Sequence, residues 1–122
     1  MENKGEILLY QNRDGQIQLE VNIQEETVWL NRNQMAVLFE RDVKTIGKHI
    51  NNIFKEGELA ADATVAKFAT VQNESGRRVE RLIEYYNLDV IISVGYLVKS
   101  QQGTQFRIWA TRTIQPLNYV II

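Results

Sequence analysis

Two apolar periodicities on either side of a short break constrain this chain most. Met35, Leu38 and Phe39 stand at i, i+3 and i+4, and Ile46, Ile50, Ile53 and Phe54 repeat that spacing. Each set lines one face of an α-helix and must be covered by something apolar. Residues 31–56 are therefore predicted to be two short helices joined by a tight turn. Asn31 is the expected N-cap of the first and Gly57 the expected stop of the second. Ala36 is expected where the helices cross closely, because a larger side chain there would push them apart. With the inner faces so assigned, the outer face of the second helix carries Lys44, Lys48, Asn51, Asn52 and Lys55. Cations and amides at helical spacing suit phosphates and base edges. This is the helix-turn-helix pattern of DNA readers. A packed helical hairpin with a solvated polar face fits the same spacing.

The flanks read as strands. Residues 6–12 are predicted to be extended, and Asp14-Gly15 is a hairpin turn signal. Ile17, Leu19, Val21 and Ile23 alternate with polar residues, as on a half-buried strand. Glu25-Glu26 breaks the alternation, and Thr27–Leu30 is a short strand feeding the first helix. After a connector at 58–63, residues 64–72 and 77–86 read as two strands around Asn73-Glu74-Ser75-Gly76. A hairpin directly after a helix-turn-helix is a wing. Arg77, Arg78 and Arg81 lie at or near its tip, where a wing meets a DNA backbone or minor groove. A solvated loop is the other reading of these arginines. Two helices follow, with Leu88, Ile91, Ile92 and Gly95 as one stripe and Phe106, Trp109, Ala110 and Thr113 as the next. Ser100–Gly103 is the break between them, and Pro116 is expected to end the second.

Composition bounds the function. The chain of 122 residues has no cysteine, which excludes disulfides and thiolate metal sites. His49 is the single histidine, so no histidine cluster exists. The start lacks the charged-then-apolar pattern of a secretory leader, and no apolar run is long enough to span a membrane. The net charge of −1 hides an asymmetry: residues 1–30 hold six acids against Lys4 and Arg13, and after Asp89 only Lys99, Arg107 and Arg112 are charged. A mildly basic body with an acidic lead can bind DNA through one local face. Glu56, Glu58 and Asp62 are close in sequence, yet a solvated connector accounts for them better than acid–base or Mg²⁺ chemistry. Trp29 and Trp109 stand in apolar-periodic contexts and are expected to pack rather than stack on bases.

Several segments together resemble one family. Thr27–Leu30, Gln34–Phe39 and His49–Leu59 are similar to the RhuM family of bacterial virulence-associated proteins. So are Arg77–Arg81, Tyr85–Tyr96 and Gly103–Thr111. The likeness is read over residues 25–112. Gly95-Tyr96 with Phe106-Arg107-Ile108-Trp109 also resembles phage antirepressor amino-terminal domains. Both likenesses imply DNA-linked regulation in a bacterial cytoplasm. RhuM-like domains joined to Fic or Doc modules imply an alternative: a protein-interaction or targeting module of a larger effector, whose carboxy-terminal partner domain is absent from this chain. Usual helix-turn-helix turns place glycine and then a small apolar residue where this chain has Glu40 and Arg41. Glu40 then needs a strained or reshaped turn, and Arg41 is expected to face a phosphate.

The sequence thus predicts an α+β fold: a winged helix-turn-helix with an amino-terminal β-hairpin (1–30), helix-turn-helix plus wing (31–86), and a carboxy-terminal helical pair and tail (87–122). It reads as one domain from a longer protein. The expected activity is sequence-specific binding of duplex DNA as a homodimer, without catalysis, metal, cofactor or membrane. Lys44, Thr45, Lys48, Asn51 and Asn52 are the expected groove and phosphate contacts, and Arg41, Arg77 and Arg78 the expected backbone contacts.

Overall fold

The computed structural model describes residues 5–114. Among these the chain runs β1 (Glu6–Gln11), β2 (Gln18–Gln24), β3 (Thr27–Leu30), α1 (Arg32–Phe39), α2 (Val43–Lys55), α3 (Ala61–Thr64), β4 (Val65–Glu74), β5 (Arg77–Asn87), α4 (Leu88–Leu97) and α5 (Gln101–Ile114). The fold is α+β, with all five strands in one antiparallel sheet of order β1-β2-β3-β5-β4. Sequence periodicity shows two separate hairpins. The structure joins them through β3, where Trp29 faces Asn87 and Leu30 faces Tyr86.

Turn chemistry explains the strand ends. Gly15 takes φ +75°, and the Asp14 carboxylate accepts the Gln16 N–H at 3.0 Å. Gln24 faces Thr27, so Glu25-Glu26 is a two-residue turn, with φ of 57° and 61°. Turns of this kind favour Asn-Gly because both central residues are left-handed. Two glutamates accept that strain here. Ser75-Gly76, at φ 52° and 79°, makes an equally short turn between β4 and β5. The hairpin is therefore longer than its sequence pattern shows, and the strands reach Glu74 and Arg77.

One sheet face meets the helices. Tyr10, Leu19, Val21, Leu30 and Tyr86 pack there with Met35, Leu38 and Phe39 of α1, the isoleucines of α2, and Val90, Val94 and Phe106. The Tyr10 ring meets Phe106 and Trp109 edge-on at 5.0 and 5.2 Å. The opposite sheet face carries a smaller cluster of Trp29, Phe68 and Tyr85. Both tryptophans are thus packing residues, and Trp29 Nε1 donates to the Gln24 carbonyl at 3.0 Å. At the junction of α1, α4 and α5, a Cβ on Gly95 or Gly103 would come within 3.1 or 3.3 Å of the Phe39 ring.

Three helices end in the same way. The last main-chain N–H groups fold back on carbonyls five and three residues earlier, around one left-handed residue. In α2 that residue is Gly57, with Glu58 N donating to Ile53 O at 3.1 Å and Gly57 N to Phe54 O at 3.2 Å. In α1 it is Glu40 (φ 55°), with Arg41 N on Ala36 O and Glu40 N on Val37 O. In α4 it is Lys99 (φ 55°), with Ser100 N on Gly95 O. Glu40 is the reshaped turn that the sequence called for.

Four expectations change in detail. Ala36 is half-buried at the core edge rather than enclosed at the crossing. The connector after Gly57 contains α3. The buried stripe of α4 is Val90, Ile91, Val94 and Gly95, while Ile92 is exposed and Leu88 half-buried. The break between the last helices lies at 98–100, and Gly103 sits inside α5. Pro116 and the apolar residues 118–122 lie outside the described residues.

Candidate nucleic-acid interface

The candidate site begins with how α2 is held. Asp42 caps it, its carboxylate accepting the Lys44 N–H at 3.1 Å. Ile46, Gly47, Ile50 and Ile53 are buried. The 3.6-residue period then turns Lys44, Lys48, Asn51, Asn52 and Lys55 outward, and all five are exposed. Thr45 is half-buried on the shoulder of this face. No acidic side chain interrupts the row between Lys44 and Lys55.

Arg32, which sequence reasoning passed over, ties α2 to the sheet. Its Nε donates to Tyr86 Oη at 3.1 Å, and its Nη2 lies 3.5 Å from Asn51 Oδ1. Tyr86 in turn donates to Glu84 Oε1 at 3.1 Å. Burial pushes the Tyr86 hydroxyl above its ordinary pKa; the Arg32 guanidinium opposes that rise and Glu84 adds to it. Gly47 is what admits Arg32: a Cβ there would stand 3.3 Å from Nη1. A glycine inside a helix costs about 1 kcal/mol against alanine. That misplaced glycine was the available signal of a close approach.

Arg41 is placed differently from its expected role. Its Nη2 donates to the Val98 carbonyl at 2.8 Å, and its Nη1 to the carbonyls of Phe39 and Glu40 at 3.1 and 3.2 Å. The guanidinium therefore closes the ends of α1 and α4. A cation at helix carboxyl ends meets their partial negative charge.

The β4–β5 hairpin holds the remaining candidates. Arg77 and Arg78 are exposed at the start of β5, next to the Ser75-Gly76 turn, and make no ion pair with a described residue. Strand alternation sends them to opposite faces. Arg78 shares its face with Tyr86, the face on which the helices pack, and Arg77 shares the other with Tyr85. Arg81 is occupied: it grips Glu74 through Nε and Nη2 at 2.5 and 2.6 Å. That contact holds the Glu74 carboxyl below its ordinary pKa. A hollow of about 300 Å³ lies between Arg32, Val43 at the start of α2, and Ile83, Glu84 and Tyr86 of β5. The helix and the hairpin base are therefore neighbours.

Among the described residues no group of three histidine or carboxylate side chains is arranged to hold a metal ion. No helix there is long and apolar enough to cross a membrane.

No curated protein and no solved structure matches the chain. The model of the Virulence protein RhuM family matches residues 63–121. It starts after α2, so the helix-turn-helix segment lies outside it, and it continues past Arg112, the end of the likeness read from sequence. Over that segment, from the end of α3 and the β4–β5 hairpin through α4 and α5, the chain is similar to the RhuM family.

Proposed function

We propose that this chain is a duplex DNA reader of the winged helix-turn-helix type, acting as a regulator in the bacterial cytoplasm. The observation that carries the reading is the outer face of α2. Lys44, Lys48, Asn51, Asn52 and Lys55 are all exposed there, on a helix whose other face is fixed in the core. A helix so mounted fits the major groove, with amides for base edges and lysines for phosphates. Thr45 flanks that row. Arg77 and Arg78 at the hairpin tip reach adjacent backbone, and Arg78 contributes more because it stands on the α2 side. The internal bonds of Arg41 reduce its part to steadying the turn before α2. The reading assigns no catalysis and no cofactor. It uses two copies, since such modules commonly read paired half-sites by two-fold symmetry.

Selection from a random duplex library tests it. Recovery of one motif, lost in Lys44→Ala and Asn52→Ala variants that keep the parent's unfolding midpoint, is the expected result. No enrichment above background overturns specific DNA reading.

One observation favours a second reading, a docking module for another protein within a larger effector. Tyr96 is 83% exposed, and Ile92, Leu97 and Ile108 on α4 and α5 are exposed as well. A groove of about 320 Å³ runs beside Tyr96 between these helices. Retention of a partner by this face, with no DNA motif selected, would favour that reading.

A further inference from the structure

The sheet has an edge along which no described strand pairs. β1 ends the strand order, and no described strand pairs with its outer side. Its main-chain groups alternate between β2 and the outside. Asn12 N donates to Ile17 O at 3.1 Å, which fixes Asn12 as a residue facing β2. Counting back by twos, Tyr10, Leu8 and Glu6 also face β2. Ile7, Leu9 and Gln11 therefore point their N–H and C=O groups away from the sheet. The side chains of Ile7 and Leu9 share one sheet face and are 57% and 59% exposed. Their neighbours on that face in β2 are Asn22 and Glu20. Between β1 and β2, the exposed apolar side chains of that face thus lie on β1, the strand that carries the unpaired main chain.

Edge strands are usually guarded by lysine, proline, a bulge or a cover. Glu6-Ile7-Leu8-Leu9-Tyr10-Gln11 has no lysine, no proline and no bulge in its register with β2. The other edge, β4, carries an exposed Lys67. A row of donors and acceptors is met fully by another extended chain, and an antiparallel copy of β1 is self-complementary. We propose that two copies join edge to edge through β1, with Leu9 on the two-fold axis. Leu9 then faces Leu9 of the second copy as a hydrogen-bonded pair. Ile7 lies opposite Gln11 of that copy and diagonal to its Leu9, within side-chain reach. The two sheets become one of ten strands. A six-residue seam is smaller than the roughly 1,600 Å² of a standard interface. Association is accordingly weak, with Kd on the order of micromolar, and a shared duplex strengthens it by raising effective concentration. The inference deepens the two-copy reading above but does not depend on DNA.

The absence of cysteine from the sequence makes the test clean. Facing residues of a hydrogen-bonded antiparallel pair have Cα atoms about 5.5 Å apart, within the range that a disulfide spans. Leu9→Cys is expected to give a covalent dimer on mild oxidation. Leu82→Cys, 69% exposed on the hairpin, is expected to stay monomeric under the same conditions. In sedimentation velocity the parent is expected to shift from monomer to dimer across the micromolar range. Leu9→Lys, a change at an exposed site, is expected to raise Kd by about tenfold or more with an unchanged unfolding midpoint. Equal cross-linking at residues 9 and 82, or a parent that stays monomeric at high concentration, overturns the seam. A monomeric parent that still selects a DNA motif overturns the seam alone. A Leu9-linked dimer that selects no motif supports the seam and overturns DNA reading.

Discussion

Glu40 holds a left-handed backbone at the turn between α1 and α2, where its Cβ crowds the neighbouring carbonyl. That conformation costs roughly 1–2 kcal/mol for a residue with a side chain. Part of the relief on changing to glycine is returned as lost unfolded-state restriction. Glu40→Gly is therefore expected to raise stability by about 1 kcal/mol, read as a higher urea midpoint with unchanged slope. A lower midpoint would show that the glutamate side chain compensates its own strain. Tyr10 presents a different residual cost. Its hydroxyl is buried and finds no partner among the described residues, and burial raises its pKa. The sign follows from that direction. A group whose folded pKa is raised contributes stability below its unfolded value, near pH 10, and loses it as pH rises through the folded value. Tyr10→Phe is expected to add about 1 kcal/mol at neutral pH by removing an unsatisfied hydroxyl. It should also weaken the alkaline fall in stability without abolishing it, because Tyr86 titrates the same way. Urea titrations at neutral pH and above pH 10 check both parts.

At the scale of elements, the β4–β5 hairpin gives the sharpest expectation. Arg77 and Arg78 bury little surface, so Arg77→Ala with Arg78→Ala should leave the thermal midpoint nearly unchanged. If both meet phosphates, the slope of log K against log salt should flatten by up to about 1.8. Arg78→Ala alone should account for most of the effect, since Arg78 faces the α2 side. A double variant that binds as the parent does would make the hairpin purely structural. The elements themselves were largely legible in sequence. Period-2 and period-3.6 stripes reflect burial on one face, and burial shaped α2, β2 and the carboxyl end of β5 strongly. Asn31 and Gly57 were legible because capping is local chemistry. The pairing of β3 with β5 was not, because Trp29 and Asn87 are far apart in sequence and short strands carry no partner code. The internal bonds of Arg41 were illegible for a related reason: its acceptors include the Val98 carbonyl, which no local pattern reveals. Arg32 was missed because its role depends on the space left by Gly47.

For the whole molecule, a net charge of −1 provides no general attraction to DNA, so any affinity must come from one face. Lys48 is assigned to phosphate. Lys48→Ala should flatten the salt slope by about 0.9 and weaken all sequences alike. Lys44, near the amino end of α2, is assigned to a base edge. Lys44→Ala should cost about 1–3 kcal/mol on the preferred site only. Anisotropy titrations at several salt concentrations on selected and scrambled duplexes separate the two, and unchanged behaviour in both variants removes α2 as a reading helix. The path of the chain after the hairpin adds a structural consequence. β5 ends at Asn87 and α4 begins at Leu88, with nothing between them. The Asn87 side chain, which accepts the Val90 N–H at 3.3 Å, clamps the first turn of α4 to the strand end. The tip at Arg77 stands roughly 27 Å along the strand from Tyr85, the first buried residue of β5, at about 3.4 Å per residue. The base of the hairpin is thus continuous with α4, and α4 meets, through Gly95, the ring of Phe39, the last residue of α1 before the turn that leads into α2.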